Sequence, residues 1–269
     1  MFTMISLVQP ATLDEAYDVL MKSKNNTILG GCGYLRMGSK RISTGIELTK
    51  LNLNYISEKD GFVEIGAYAT LRDLETSPIL NKHFNGVIEK AVAGIIGVQF
   101  RSMVTAGATV FSKYGFSDPL TALLALDCDV ELFKGGRMPL EDFLSRPFEK
   151  DILVRILLKS NGRKAVYKNF RNAASDYSIL NVSVSRLDDD FRIVAGARPS
   201  TARIAKKASA LISGKFLQSP PDEALISEAA KLAQEELNFG TNMRGTKEYR
   251  EELCRVLVKR AIEEVLECK

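Results

Sequence analysis

Two runs of glycine and small residues are the places in this sequence where the backbone itself could hold a ligand. The first, Gly30-Gly31-Cys32-Gly33, follows the strand-like Thr27-Ile28-Leu29 and precedes Tyr34. A glycine-rich turn after a strand aims several N–H groups one way, and a phosphate or pyrophosphate accepts them with no side chain intervening. A tight turn between strands explains the same residues. The run lacks the third glycine of a Rossmann fingerprint, and no Gly-Lys-Ser/Thr follows to make a P-loop. The second run, Thr105-Ala106-Gly107-Ala108-Thr109, permits close approach to a ligand or close packing of two elements. Asp118, before Pro119 and an apolar run to Leu126, reads as a helix cap or as a ligand contact.

Other chemistries find little support. Cys32, Cys128, Cys254 and Cys268 are widely spaced and form no CxxC pair, zinc pattern or iron–sulfur ligand run. The lone histidine, His83, lies between Lys82 and Phe84 and reads as a surface or helix-entry residue, which excludes most histidine-based triads. A net charge of +4, with basic and acidic residues interspersed, gives no footprint for nucleic acid. No stretch approaches the ~20 apolar residues needed to span a bilayer, and the first ten residues do not resemble a signal peptide, so a cytoplasmic protein is expected.

The elements that must position these runs follow from periodicity. The chain has 269 residues, 45% hydrophobic and 26% charged, enough for more than one compact unit. Residues 11–21 read as a helix behind Thr12, 27–29, 45–51 and 62–67 as strands, and Thr70 to Asp73 as a capping box. A helix is expected over 86–95, whereas 99–111 is poor in helical pattern and reads as a second loop. Asp118 is expected to cap a helix with Pro119 at its first position. Residues 129–133 and 137–140 flank Gly135-Gly136 as a hairpin, 152–158 add a strand, and Asn161-Gly162 marks a turn. The pattern changes near Tyr167: strands over 178–187 and 191–197 precede helices over 202–212, 222–237 and 247–266. The later part is therefore expected to be a small α+β domain.

One ordered set of residues carries a resemblance. Leu29-Gly30-Gly31, then Ile65-Gly66-Ala67 with Thr70, then Gln99-Phe100-Arg101 before Thr105-Ala106-Gly107, then Asp118 before Leu123-Leu124-Ala125-Leu126, resembles the FAD-binding domain of the molybdenum hydroxylases. That family includes the flavin subunits of xanthine dehydrogenases and carbon monoxide dehydrogenases. Tyr167-Lys168 with Asp176, then Arg244, Tyr249-Arg250 and the run from Arg255 to Ala261, are similar to the family's C-terminal domain. The likeness covers nearly the whole chain.

The resemblance implies an α+β fold: a two-part PCMH-type FAD-binding domain, with subdomains over 1–55 and 56–165, followed by a small α+β domain over 166–269. It implies one extended FAD between the subdomains. Leu29, Gly30, Gly31, Cys32, Gly33 and Tyr34, with Thr105, Gly107, Ala108 and Thr109, would meet its pyrophosphate from two sides. Asp118 would accept hydrogen bonds from ribityl or ribose hydroxyls, and Lys168 would lie near the flavin ring. A bulky β-branched residue at Gly31 or Gly107 is accordingly expected to block FAD more than folding. The implied function is electron relay, from the iron–sulfur clusters of a partner to NAD or another acceptor. The implied partners are a molybdopterin-binding large subunit and a 2Fe–2S small subunit. The sequence departs from the family's usual Gly-Gly-Thr-Asp and Gly-Gly-Asn loops, and Ile95 stands where some members place an aromatic residue. Those departures keep two alternatives open: an assembly subunit without FAD, and a free-standing FAD oxidoreductase.

Overall fold

The computed structural model describes residues 1–216 and 221–268. Within them the chain builds three sheets, each with its own apolar core.

The first sheet contains β1 (Thr3–Val8), β2 (Thr27–Leu29) and β3 (Arg41–Glu47), in the order β1-β3-β2 with both pairings parallel. Helix α1 (Leu13–Lys22) crosses between β1 and β2, and Thr12 caps it by accepting a hydrogen bond from Glu15 N. Ala16 and Leu20 of α1 pack on Ile46 and Leu48. The third strand occupies 41–47 rather than the expected 45–51, because Leu48 turns into a single 3-10 turn over Thr49–Leu51.

The second unit opens with β4 (Ile56–Lys59) and β5 (Phe62–Gly66), followed by α2 (Leu71–Thr76), α3 (Pro78–Phe84) and α4 (Val87–Ala93). Thr70 and Asp73 form the expected capping box of α2. Next come α5 (Val98–Arg101), α6 (Ala106–Phe111) and α7 (Asp118–Ala125). Residues 99–111, read from sequence as a loop, thus hold most of α5 and all of α6. A six-residue helix is too short to show a 3.6-residue apolar period, so its pattern was invisible. Ser117, not Asp118, caps α7, accepting from Leu120 N, with Asp118 in the first turn. β6 (Cys128–Leu132) and β7 (Gly136–Pro139) form the hairpin, α8 (Leu140–Ser145) follows, and β8 (Leu153–Lys159) completes an antiparallel sheet in the order β4-β5-β8-β6-β7.

The last sheet runs β9 (Lys164–Phe170), β10 (Leu180–Leu187), β11 (Asp190–Gly196) and β12 (Arg203–Ile204), antiparallel throughout. It is covered by α9 (Lys206–Phe216), α10 (Glu223–Glu236) and α11 (Lys247–Glu267). The helix expected over 202–212 is displaced toward the C-terminus because Arg203 and Ile204 pair with β11 instead. Every residue of α7 is buried, since it packs against the second unit on one side and β10 and β11 on the other.

Candidate functional site

The two small-residue runs touch each other, and that contact explains their glycines. A Cβ on Gly30 would stand 2.5 Å from Ala108 Cβ, and one on Gly31 would stand 1.9 Å from Met103 O. Gly31 also has φ of +78°, a conformation costly for other residues. Cys32 follows in the left-handed region with φ of +57°. Among the described residues, nothing accepts a hydrogen bond from the N–H groups of Gly31, Cys32, Gly33 or Tyr34. Buried or half-buried N–H groups are ordinarily paired, so this row of donors is suited to an anion.

The second run offers far less. Ala106 N donates to Ala69 O and Gly107 N to Ala67 O, each at 2.8 Å, and Thr105 Oγ1 accepts from Ala108 N at 3.2 Å. Thr109 N and Oγ1 both donate to Thr105 O. The backbone donors of this run's first turn are thus spent within the protein. Gly107 is small for a packing reason: a Cβ there would stand 2.6 Å from Ala67 Cβ and 2.7 Å from Ala67 O.

Both runs border a cavity of about 480 Å³, within the range of pockets that enclose small molecules. Gly30, Cys32, Gly33, Tyr34, Thr105, Gly107, Ala108 and Thr109 line it, as does Ile95. Lys24 and Lys40 put cationic side chains on its wall, and Lys40 Nζ reaches Thr27 Oγ1 at 2.9 Å. Lys150 also borders it, but its ammonium is occupied by the carbonyls of Ser23 and Leu20 at 2.6 and 3.2 Å.

A group of aromatic rings that the sequence did not disclose closes part of the cavity. Tyr34 stacks on Phe116 at 4.7 Å between ring centroids, Tyr114 on Phe116 at 5.0 Å, and Phe116 meets Tyr177 at 4.9 Å. The Arg244 guanidinium lies 4.8 Å over the Tyr177 ring. Burial, then a hydrogen bond with Tyr177, pushes the Tyr34 phenol up, so it stays neutral. Flat rings of this kind suit a planar heteroaromatic ligand. Tyr114 and Phe116, two apart, were the available signal; their partners Tyr34 and Tyr177 are distant in sequence.

Asp118 and Lys168, both expected to contact the cofactor, have charged partners within the protein. Asp118 borders the cavity but is buried, and its Oδ1 already accepts from Tyr167 Oη, Ser178 Oγ and Asn181 Nδ2, each at 2.6 Å. Its Oδ2 accepts from Arg171 Nη2 at 2.7 Å, so the carboxylate is the hub of an internal network. Lys168 does not line the cavity: its ammonium pairs with Glu264 of α11. On β9 its side chain faces the covering helix, which removes it from the place expected of it.

The fold and the chain have relatives. The family model described as "FAD binding domain in molybdopterin dehydrogenase" matches residues 3–160, and "CO dehydrogenase flavoprotein C-terminal domain" matches residues 165–265. The glyceraldehyde dehydrogenase medium chain of Sulfolobus acidocaldarius is 27% identical over 97% of this chain and 98% of its own length. The nicotine 6-hydroxylase medium subunit of Paenarthrobacter nicotinovorans is 25% identical over 97% and 96%. Among solved structures, carbon monoxide dehydrogenase from Hydrogenophaga pseudoflava superposes with a TM-score of 0.88 at 20% identity, covering 98% of each chain. The expected α+β architecture is therefore found, and the chain belongs to the family of FAD-binding domains of the molybdopterin dehydrogenases, a family of oxidoreductase flavoproteins.

Proposed function

We propose that the chain holds one FAD with its pyrophosphate against Gly31, Cys32, Gly33 and Tyr34, and serves as the medium subunit of a molybdenum hydroxylase complex. The observation that carries this reading is the row of unpaired N–H groups, of which those of Cys32, Gly33 and Tyr34 belong to residues that border the cavity, in a chain of this family. When bound, FAD supplies the redox chemistry, taking electrons singly from iron–sulfur clusters and giving them up in pairs. The chain's own residues bind and orient: the N–H row donates to the anionic phosphates, Lys24 and Lys40 add positive potential, and the rings around Phe116 receive a flat heterocycle. Thr105, Gly107, Ala108 and Thr109 then act by shaping the wall rather than by donating.

The electron donor is proposed to be a 2Fe–2S small subunit beside a molybdopterin-binding large subunit, with NAD or another acceptor downstream. Three observations support a complex. Two relatives are named as a medium chain and a medium subunit. No His, Cys, Asp and Glu group able to hold a metal occurs among the described residues, and the described cysteines are free. Near the cavity, Ile96, Val98, Met103 and Met37 expose apolar surface, Met37 at 73%. No described helix is long and apolar enough to cross a membrane. We place the complex in the cytoplasm, a reading consistent with free cysteines. Purification under native conditions tests the proposal: an absorbing flavin at one per chain, with large and small subunits co-purifying, supports it. A colourless chain that takes up no added FAD contradicts it.

A further inference from the structure

We propose that Tyr68 is a positioning residue for the cofactor, holding the first glycine segment in register with the second through its phenol oxygen; this rests on the FAD reading above. The segment from Gly66 to Leu71 lies between the two small-residue runs. Its backbone holds the second: Ala67 O accepts from Gly107 N, Ala69 O from Ala106 N, and Leu71 N donates to Val104 O at 2.9 Å. Its Tyr68 side chain holds the first: Oη donates to Leu29 O and accepts from Leu48 N at 2.8 Å. Leu29 ends β2, and Leu48 immediately follows β3, its parallel neighbour. One short segment thereby joins the sheet that carries the N–H row to the helix packed against it.

The geometry explains why the oxygen matters. A peptide unit is planar, so fixing the Leu29 carbonyl fixes the opposite-facing N–H of Gly30 and the direction in which the chain enters Gly31. Leu48 N–H faces the same oxygen, so the phenol satisfies two backbone groups at the strand ends. Burial pushes the Tyr68 hydroxyl up to about 12, so it remains a donor at neutral pH. Tyr68 lines the cavity, and its ring packs beside the first core, so Phe would fill the same volume without making the two bonds.

The test compares Tyr68→Phe with Ile156→Val, a fully buried position in the five-stranded sheet, outside both runs, where the change is one of stability. Dissociation constants of the full-length chain for FAD are read from flavin fluorescence, and for ADP by competition, with melting temperatures measured beside them. The expected result is a roughly tenfold weaker FAD and ADP for Y68F, and unchanged affinities for I156V at a comparable loss of melting temperature. Equal weakening in both variants, or FAD affinity unchanged in Y68F, overturns the proposal. Loss of FAD affinity with ADP affinity retained overturns it too, because the effect would then lie away from the pyrophosphate. A wild-type chain that binds neither ligand overturns the FAD reading and the role of Tyr68 with it, and differs from the other outcomes by appearing before any substitution.

Discussion

Arg171 Nη2 sits 2.7 Å from Asp118 Oδ2 in a buried ion pair, and the same guanidinium reaches the carbonyls of Gly94 and Asp176. Asp118 thus ties α7 to the end of β9 and, through Arg171, to the loop that carries Ile95 and Ile96 into the cavity wall. Removing one member of such a pair strands the other charge. Asp118→Ala is expected to destabilise the apo-protein by about 3–5 kcal/mol, measured by chemical denaturation. A variant as stable as wild type but weak in FAD would restore the role of direct hydroxyl contact.

The glycines give a second prediction, opposite to the one the sequence invited. Because Gly107 abuts Ala67 and Gly31 abuts Met103 O, valine at either position must displace backbone. Each variant is expected to lose at least about 2 kcal/mol of apo-protein stability. Full stability with FAD binding abolished would return these glycines to the role of phosphate clearance.

Acid should loosen the contact between the second and third sheets. Burial works to raise the Asp127 pKa, but hydrogen bonds from Asn161 and Arg163 and the charges of Arg163 and Arg192 hold it down at about 2. A folded-state pKa below the ordinary 3.8 means that the carboxylate stabilises above pH 4 and that this contribution fades as pH falls from about 4 to about 2. Asp127→Asn is expected to cost about 1–2 kcal/mol at neutral pH and to flatten stability across that window. An unchanged acid limb of the stability curve would contradict the assignment.

Cys32 supplies a chemical probe of the site. It lines the cavity, whereas Cys128 and Cys254 are buried. Burial pushes its thiol up, so alkylation at neutral pH is expected to be slow, and saturating FAD should slow it further, by roughly tenfold or more. Labelling followed by peptide mass analysis reads the rate, and a Cys32 rate indifferent to FAD would place the ligand elsewhere.

How much of this was legible follows the range of the interactions. The capping box at Thr70, the Gly135-Gly136 hairpin and the long helix beginning at Lys247 announce themselves within a few residues, and the structure has all three. The Gly30 to Gly33 run was visible as a backbone site, but its contact with Met103 and Ala108 was not, since glycine serves clearance and packing alike. Helix α6 is hard to read from sequence because six residues are too few to show an apolar period, although Thr105 caps it locally by accepting from Ala108 N. Asp118 and Lys168 were placed by resemblance, and their real partners, Arg171 and Glu264, come from β9's end and from α11. Tyr68 gave no sign at all, because only the tertiary approach of Leu29 and Leu48 gives its hydroxyl work.

A structure of the chain with FAD bound, alone or in its native complex, measures the central claim directly. Phosphate oxygens are expected about 2.7–3.2 Å from backbone nitrogens of the Gly31 to Tyr34 row, with no backbone donor of α6 among the contacts. A pyrophosphate beyond hydrogen-bonding distance of that row, or held by the N-terminus of α6 instead, would contradict it.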